Sequence, residues 1–144
     1  MKERINFVVL IRFKVRETYA LFLIKELMSR DPLLKEKWER LVLTLSKQFS
    51  ADEQVDIDSI IYLIGVQELG QYHRPFKKDE KIHLMHIAIC RLLEPYGYYK
   101  FDYTDDDGWP HYTISENLPP LKAGEQSVLI KEAIVTYFTE KEFL

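Results

Sequence analysis

The sequence predicts a mainly α protein, a single domain over residues 1–144. About five helices surround a central buried helix at 78–94, joined by an aromatic β-hairpin at about 98–115 and a candidate N-terminal strand. Three observations carry this reading. Apolar residues recur at three- and four-residue spacing through most of the chain after residue 18. The stretch 78–94 is apolar nearly all round, the mark of a helix enclosed by others. Tyr96–Tyr112, YGYYKFDYTDDDGWPHY, packs seven of the chain's nineteen aromatic residues into seventeen positions around an Asp-Gly turn signal.

The elements follow in order. Residues 5–15 alternate Ile5, Phe7, Val9, Ile11, Phe13 and Val15, a period-two strand pattern with Arg12, Lys14 and Arg16 on its other side. Val8 and Leu10 blur the alternation, and a helix continuing into Tyr19–Met28, or a loosely attached arm, also fits. A helix at 18–30 carries Leu21, Leu23, Ile24, Leu27 and Met28. Asp31-Pro32 ends it and opens the next, since aspartate caps and proline suits the first helical position. That second helix, 33–49, has Trp38, Leu41, Val42, Leu45 and Phe49 on one face. Ser50-Ala51-Asp52-Glu53 has the form of a capping box. The third helix, 57–69, is capped by Asp56 and stopped by Gly70. The fourth, 78–94, begins with Asp79 and Glu80 at its positive dipole end and stops at Pro95 and Gly97. Hairpin strands are expected near 98–103 and 110–115. Leu118-Pro119-Pro120 is a stiff connector to a last helix at about 123–141.

Composition bounds the function. With 47% hydrophobic and 30% charged residues, the 144-residue chain matches an ordinary globular domain. The longest early apolar run, Phe7–Ile11, is far too short to span a bilayer, and Arg12, Lys14 and Arg16 follow it instead of a cleavage site. The single cysteine, Cys90, excludes an internal disulfide and the paired-cysteine zinc patterns. A buried thiol in a reducing compartment is the simplest reading, so a cytoplasmic protein is expected. The net charge of −3 hides an asymmetry. Residues 1–50 carry 11 Lys/Arg against 6 Asp/Glu, a balance of +5, and the remainder carries 9 against 17, a balance of −8. Opposite-signed halves favour self-association or a charged partner.

No catalytic constellation stands out. There is no nucleophile elbow and no phosphate-binding glycine loop, so no cofactor is expected. Cys90 lies in the most apolar helix, where a thiolate is disfavoured. Glu80-x-x-His83 matches half of a di-metal bundle motif, and His86 shares that helix side, but the second motif is missing. Glu80, His83 and His86 thus carry only the alternative of a metal-dependent helical-bundle enzyme, and no metal is expected. Asp105, Asp106 and Asp107 lack the alternate spacing of a calcium loop and read as a solvated turn. The helix–helix–hairpin order raises a winged-helix-like DNA-binding regulator, with Arg74, Lys77, Lys78 and Lys81 at the start of the presumptive recognition helix. An acidic wing tip and an over-apolar helix argue against it.

What remains is a protein-interaction surface. Tyr99, Phe101, Tyr103, Asp105, Asp106, Asp107, Trp109 and His111 form the candidate surface, one hairpin face packing on the helices and the other leaving aromatics outside, with Trp109-Pro110 anchored in the core. Tryptophan and tyrosine are enriched at interface hot spots. The expected function is a non-catalytic interaction or accessory module, with a second copy of the chain as partner in a homodimer built on the hairpin or last helix. Nucleic acid and membrane are not expected partners.

Overall fold

The structure, a computed structural model, describes residues 33–49, 53–72, 74–115 and 123–143. They form four α-helices and one two-stranded antiparallel sheet. The expected count of five helices is corrected to four for the described chain. The expected strand at 5–15, helix at 18–30, the Ser50–Asp52 part of the capping box and the Leu118-Pro119-Pro120 connector lie outside these residues.

Helix α1, Leu34–Phe49, turns Leu41, Val42 and Leu45 inward. Phe49, expected on the same face, sits past the end of the core and is 59% exposed. Helix α2, Ile57–Leu69, starts where Asp56 accepts the Ser59 N–H at 2.8 Å and stops at Gly70, whose N–H reaches the Val66 carbonyl. Its apolar residues Ile60, Ile61 and Ile64 are buried, as their spacing requires.

Helix α3, Lys78–Leu93, is the central element. It packs on α2, on the hairpin and on the last helix, α4, Ala123–Glu140, while α1 packs on α4. Its second half is enclosed: Leu84, Met85, Ile87, Ala88, Ile89, Cys90, Leu92 and Leu93 are all buried. Its first turn and a half is not, and Ile82, expected inside, is exposed. The helix yields to a 3₁₀ turn, Glu94–Tyr96, carrying Pro95. Leu129, Ile130, Ala133, Ile134 and Tyr137 of α4 complete one continuous core with α1 and α2.

The α2–α3 contact depends on Gly65. A Cβ built there would lie 2.2 Å from the Leu84 carbonyl oxygen, so a side chain at this position and the observed backbone approach exclude each other. Among the described residues no helix is long and apolar enough to cross a membrane.

Candidate functional site

The hairpin consists of β1, Tyr99–Thr104, and β2, Pro110–Ile114. Its root is core: Tyr98 and Tyr99 are 1% and 6% exposed, and burial pushes both phenols upward in pKa. Tyr99 therefore belongs to the interior and not to the outer surface that strict alternation assigns it.

The register explains a second departure. Tyr99 pairs with Ile114, Lys100 with Thr113 and Phe101 with Tyr112, but Tyr103 pairs with His111, leaving a bulge at Asp102. Directly opposed residues share a sheet face. Phe101 and Tyr112 meet edge to face at 5.7 Å, with Ile114 on their side. The bulge turns Tyr103 onto the opposite face, where its ring stacks on His111 at 4.6 Å and 4°. The alternation Tyr99–Phe101–Tyr103 is thus broken: one residue is buried, and the other two are exposed on different faces. Phe101, Tyr103 and Ile114 are 45%, 52% and 49% exposed.

The tip is organised by Asp105. One carboxylate oxygen accepts the Asp107 and Trp109 N–H groups, both at 3.0 Å, and the other lies 2.8 Å from His111 Nε2. The His111 hydrogen bond, then the Trp109 N–H, hold its pKa below the ordinary carboxylate value. A carboxylate only accepts, so Nε2 donates. The Gly108 N–H closes the turn on the Asp105 carbonyl with φ 89°, a left-handed conformation that glycine adopts without strain. Asp106 and Asp107 point to solvent. The three aspartates are turn chemistry with unequal roles: the first shapes the loop, and the other two supply charge.

Trp109 is half-buried and lies outside the core, contrary to the expected anchoring of Trp109-Pro110. Its indole stacks on the His83 ring of α3 at 4.7 Å and 9°. The His83 ring in turn meets His111 at 6.5 Å. Arg74 approaches the other elements of this corner, 5.9 Å from the Trp109 ring and 4.4 Å from Phe76. It pairs with Glu80 at 2.7 Å and donates to Gln71, which donates to the Asp107 carbonyl at 3.1 Å. Residues from the α2–α3 loop, α3, the hairpin turn and β2 therefore converge on one corner.

The metal alternative finds no support in this arrangement. Glu80 is occupied by Arg74 and the Lys77 N–H, which hold its pKa low. His83 faces Trp109, and His86 turns toward Cys90 Sγ, 3.6 Å away, and the edge of Tyr99. Burial lowers the pKa of both histidines, with His111 adding to the effect at His83 and His83 at His86. Among the described residues no group of three or more His, Cys, Asp or Glu is arranged to hold a metal ion. Nor does Cys90 have a nucleophile's surroundings: it is 1% exposed and its thiol is pushed up to about 12. A cavity of about 50 Å³ beside Arg91, Tyr96, Tyr137 and Glu140 has room for a water, not for a metabolite.

Of the four basic residues considered for nucleic acid, Arg74 is committed to Glu80 and Gln71, while Lys77, Lys78 and Lys81 are exposed. The hairpin beside them presents Asp102, Asp106 and Asp107, which repel phosphate. Sequence reasoning missed three contributors. Gln71 gives no signal beyond following a helix stop. Ile114, near the end of its strand, carries no signal of its exposure in the sequence. Glu94 accepts the Phe101 N–H at 2.8 Å along the outer edge of β1. No protein-family model, no curated protein and no solved structure matches this chain.

Proposed function

We propose that the chain is a non-catalytic interaction module that self-associates through the exposed part of its hairpin, and that it works in the cytoplasm, where the lone buried thiol stays reduced. The observation that carries this reading is the exposure of Phe101 and Ile114 beside Tyr112 on a hairpin whose root and tip are both pinned. Exposed aromatic and aliphatic side chains on a pre-organised element lose little entropy on docking. A hairpin tied to its helices by Tyr98, Tyr99 and the His83–Trp109 stack meets that condition.

Charge favours a second copy as the partner. The hairpin carries Asp102, Asp105, Asp106 and Asp107 against Lys100, whereas residues 1–50 have a balance of +5, from 11 Lys/Arg against 6 Asp/Glu. Opposite-signed stretches of two copies attract, and in a two-fold pair any such contact is made twice. Light scattering and sedimentation over a concentration series test the reading. A dimer that Phe101→Asp and Ile114→Asp weaken, without loss of helical circular dichroism, supports it. A strict monomer at the highest soluble concentration removes it.

A further inference from the structure

We infer that the ring series Tyr103–His111–His83–Trp109 is a proton-operated latch: with His83 neutral it clamps the hairpin tip onto α3, and with His83 charged it releases the tip. The geometry supplies the argument. His83 is the point where the helix meets the hairpin in this corner, parallel to the Trp109 indole at 4.7 Å and 6.5 Å from the His111 ring. His111 is itself stacked on Tyr103. Movement of His83 thus disturbs contacts to the hairpin turn and to β2 at once, and through His111 it reaches Tyr103 of β1.

The charged groups around His83 are unevenly matched. From the hairpin it faces His111 and Asp105. From its own helix it faces His86, whose titration it influences, and Glu80 lies one turn earlier. From the α2–α3 loop, Arg74 lies 5.9 Å from the Trp109 ring. Both carboxylates are already engaged: Asp105 by His111 and two backbone N–H groups, Glu80 by Arg74 and the Lys77 N–H. A proton added to His83 therefore meets a second imidazole, with Asp105 as a shared counter-charge. Burial and His111 both work against that proton, and Asp105 works for it. Because Asp105 is already held by His111 at 2.8 Å, a charge on His83 has no counter-ion of its own, and the contact with the hairpin is strained.

Phe101 and Ile114 ride on the same hairpin, so release of the tip alters how that surface is presented. This consequence rests on the proposed contact surface; the latch itself belongs to the isolated chain and is tested there.

The experiment uses the full chain at dilutions where light scattering shows monomer. A Trp38→Phe background leaves Trp109 as the sole tryptophan. From about pH 8 to about pH 5, across the histidine range, Trp109 emission is expected to change with a midpoint below 6.5, the ordinary histidine value. The change disappears in His83→Gln. By NMR, the His83 midpoint rises in His111→Gln, because the opposing charge is gone, and the nuclear Overhauser contacts between the His83 and Trp109 rings fade below the midpoint in the wild type. Persistence of those wild-type contacts in acid overturns the latch, whatever the variants do. So does a His83 midpoint unmoved by His111→Gln in a folded variant, or an emission change that survives His83→Gln. Because every readout is taken on the monomer, absence of self-association leaves this test intact.

Discussion

The imidazole of His83 lies 4.7 Å from the indole of Trp109 and within 9° of parallel, so the far end of the hairpin is held by a ring stack rather than by burial in the core. The root, Tyr98 and Tyr99, is enclosed, and the tip depends on this second attachment. Trp109→Ala removes the stack and the half-buried indole. A fully buried tryptophan costs about 3–5 kcal/mol on truncation, and a half-buried one about 2 kcal/mol. Urea unfolding followed by circular dichroism reads that loss. A variant as stable as the wild type would show that the tip is held by the Gln71 and Arg74 contacts alone.

Gly65 is a steric requirement of the α2–α3 contact. Gly65→Ala gains helix propensity of about 1 kcal/mol but forces a Cβ against the Leu84 carbonyl, where the available distance is 2.2 Å. The obstacle is backbone, which cannot rotate away, so repulsion wins and the variant loses stability by about 1–3 kcal/mol net. Gly124→Ala, where an added Cβ meets nothing within 4 Å, is the control and is neutral or stabilising. Equal unfolding midpoints for the two variants would sink the steric argument.

Asp105 makes stability depend on acid. Its folded pKa is depressed, first by the His111 hydrogen bond and then by the Trp109 N–H, so the folded state binds the proton less readily than the unfolded chain. Its contribution is present above the ordinary value of 3.8 and is lost as pH falls through the lower folded value. His83 and His86 have the same sign in a higher window: each is depressed by burial, so acidification below 6.5 protonates the unfolded chain first and lowers stability. Unfolding midpoints of Asp105→Asn and wild type therefore differ at neutral pH and converge in strong acid. A difference that stays constant across the titration would assign Asp105 a purely geometric role.

The helices were legible in the sequence because their signals are local. Asp56 and Gly70 mark both ends of α2, and the apolar stretch 84–93, broken only by His86 and Arg91, marks the enclosed half of α3. The hairpin was legible as an element, through Asp-Gly and its dense aromatics, but not as an arrangement. A bulge at Asp102 leaves no trace in a period-two pattern, yet it decides which face Tyr103 occupies. The ring contacts of His83 join residues 26 and 28 positions apart, and no spacing rule reaches that far. Trp109 was placed in the core because large aromatics usually go there. The core was already filled by Tyr98, Tyr99 and Tyr137, and the indole found a histidine face instead.

Glu94 bears on how the hairpin avoids the wrong partners. A two-stranded sheet offers backbone donors along its outer edges, a template for further strands. On β1 the Phe101 N–H points away from β2 and is taken by the Glu94 carboxylate at 2.8 Å. That bond satisfies the donor and places a negative charge where an added strand would have to lie. Glu94→Ala removes both protections while leaving Phe101 exposed beside the bared edge. The expected result is concentration-dependent association beyond that of the wild type, seen as growing scattering and thioflavin binding, with the fold intact at low concentration. If Glu94→Ala keeps the wild-type association state at every concentration, the edge is protected by something other than this carboxylate, and the acidic residues of the tip become the next to replace.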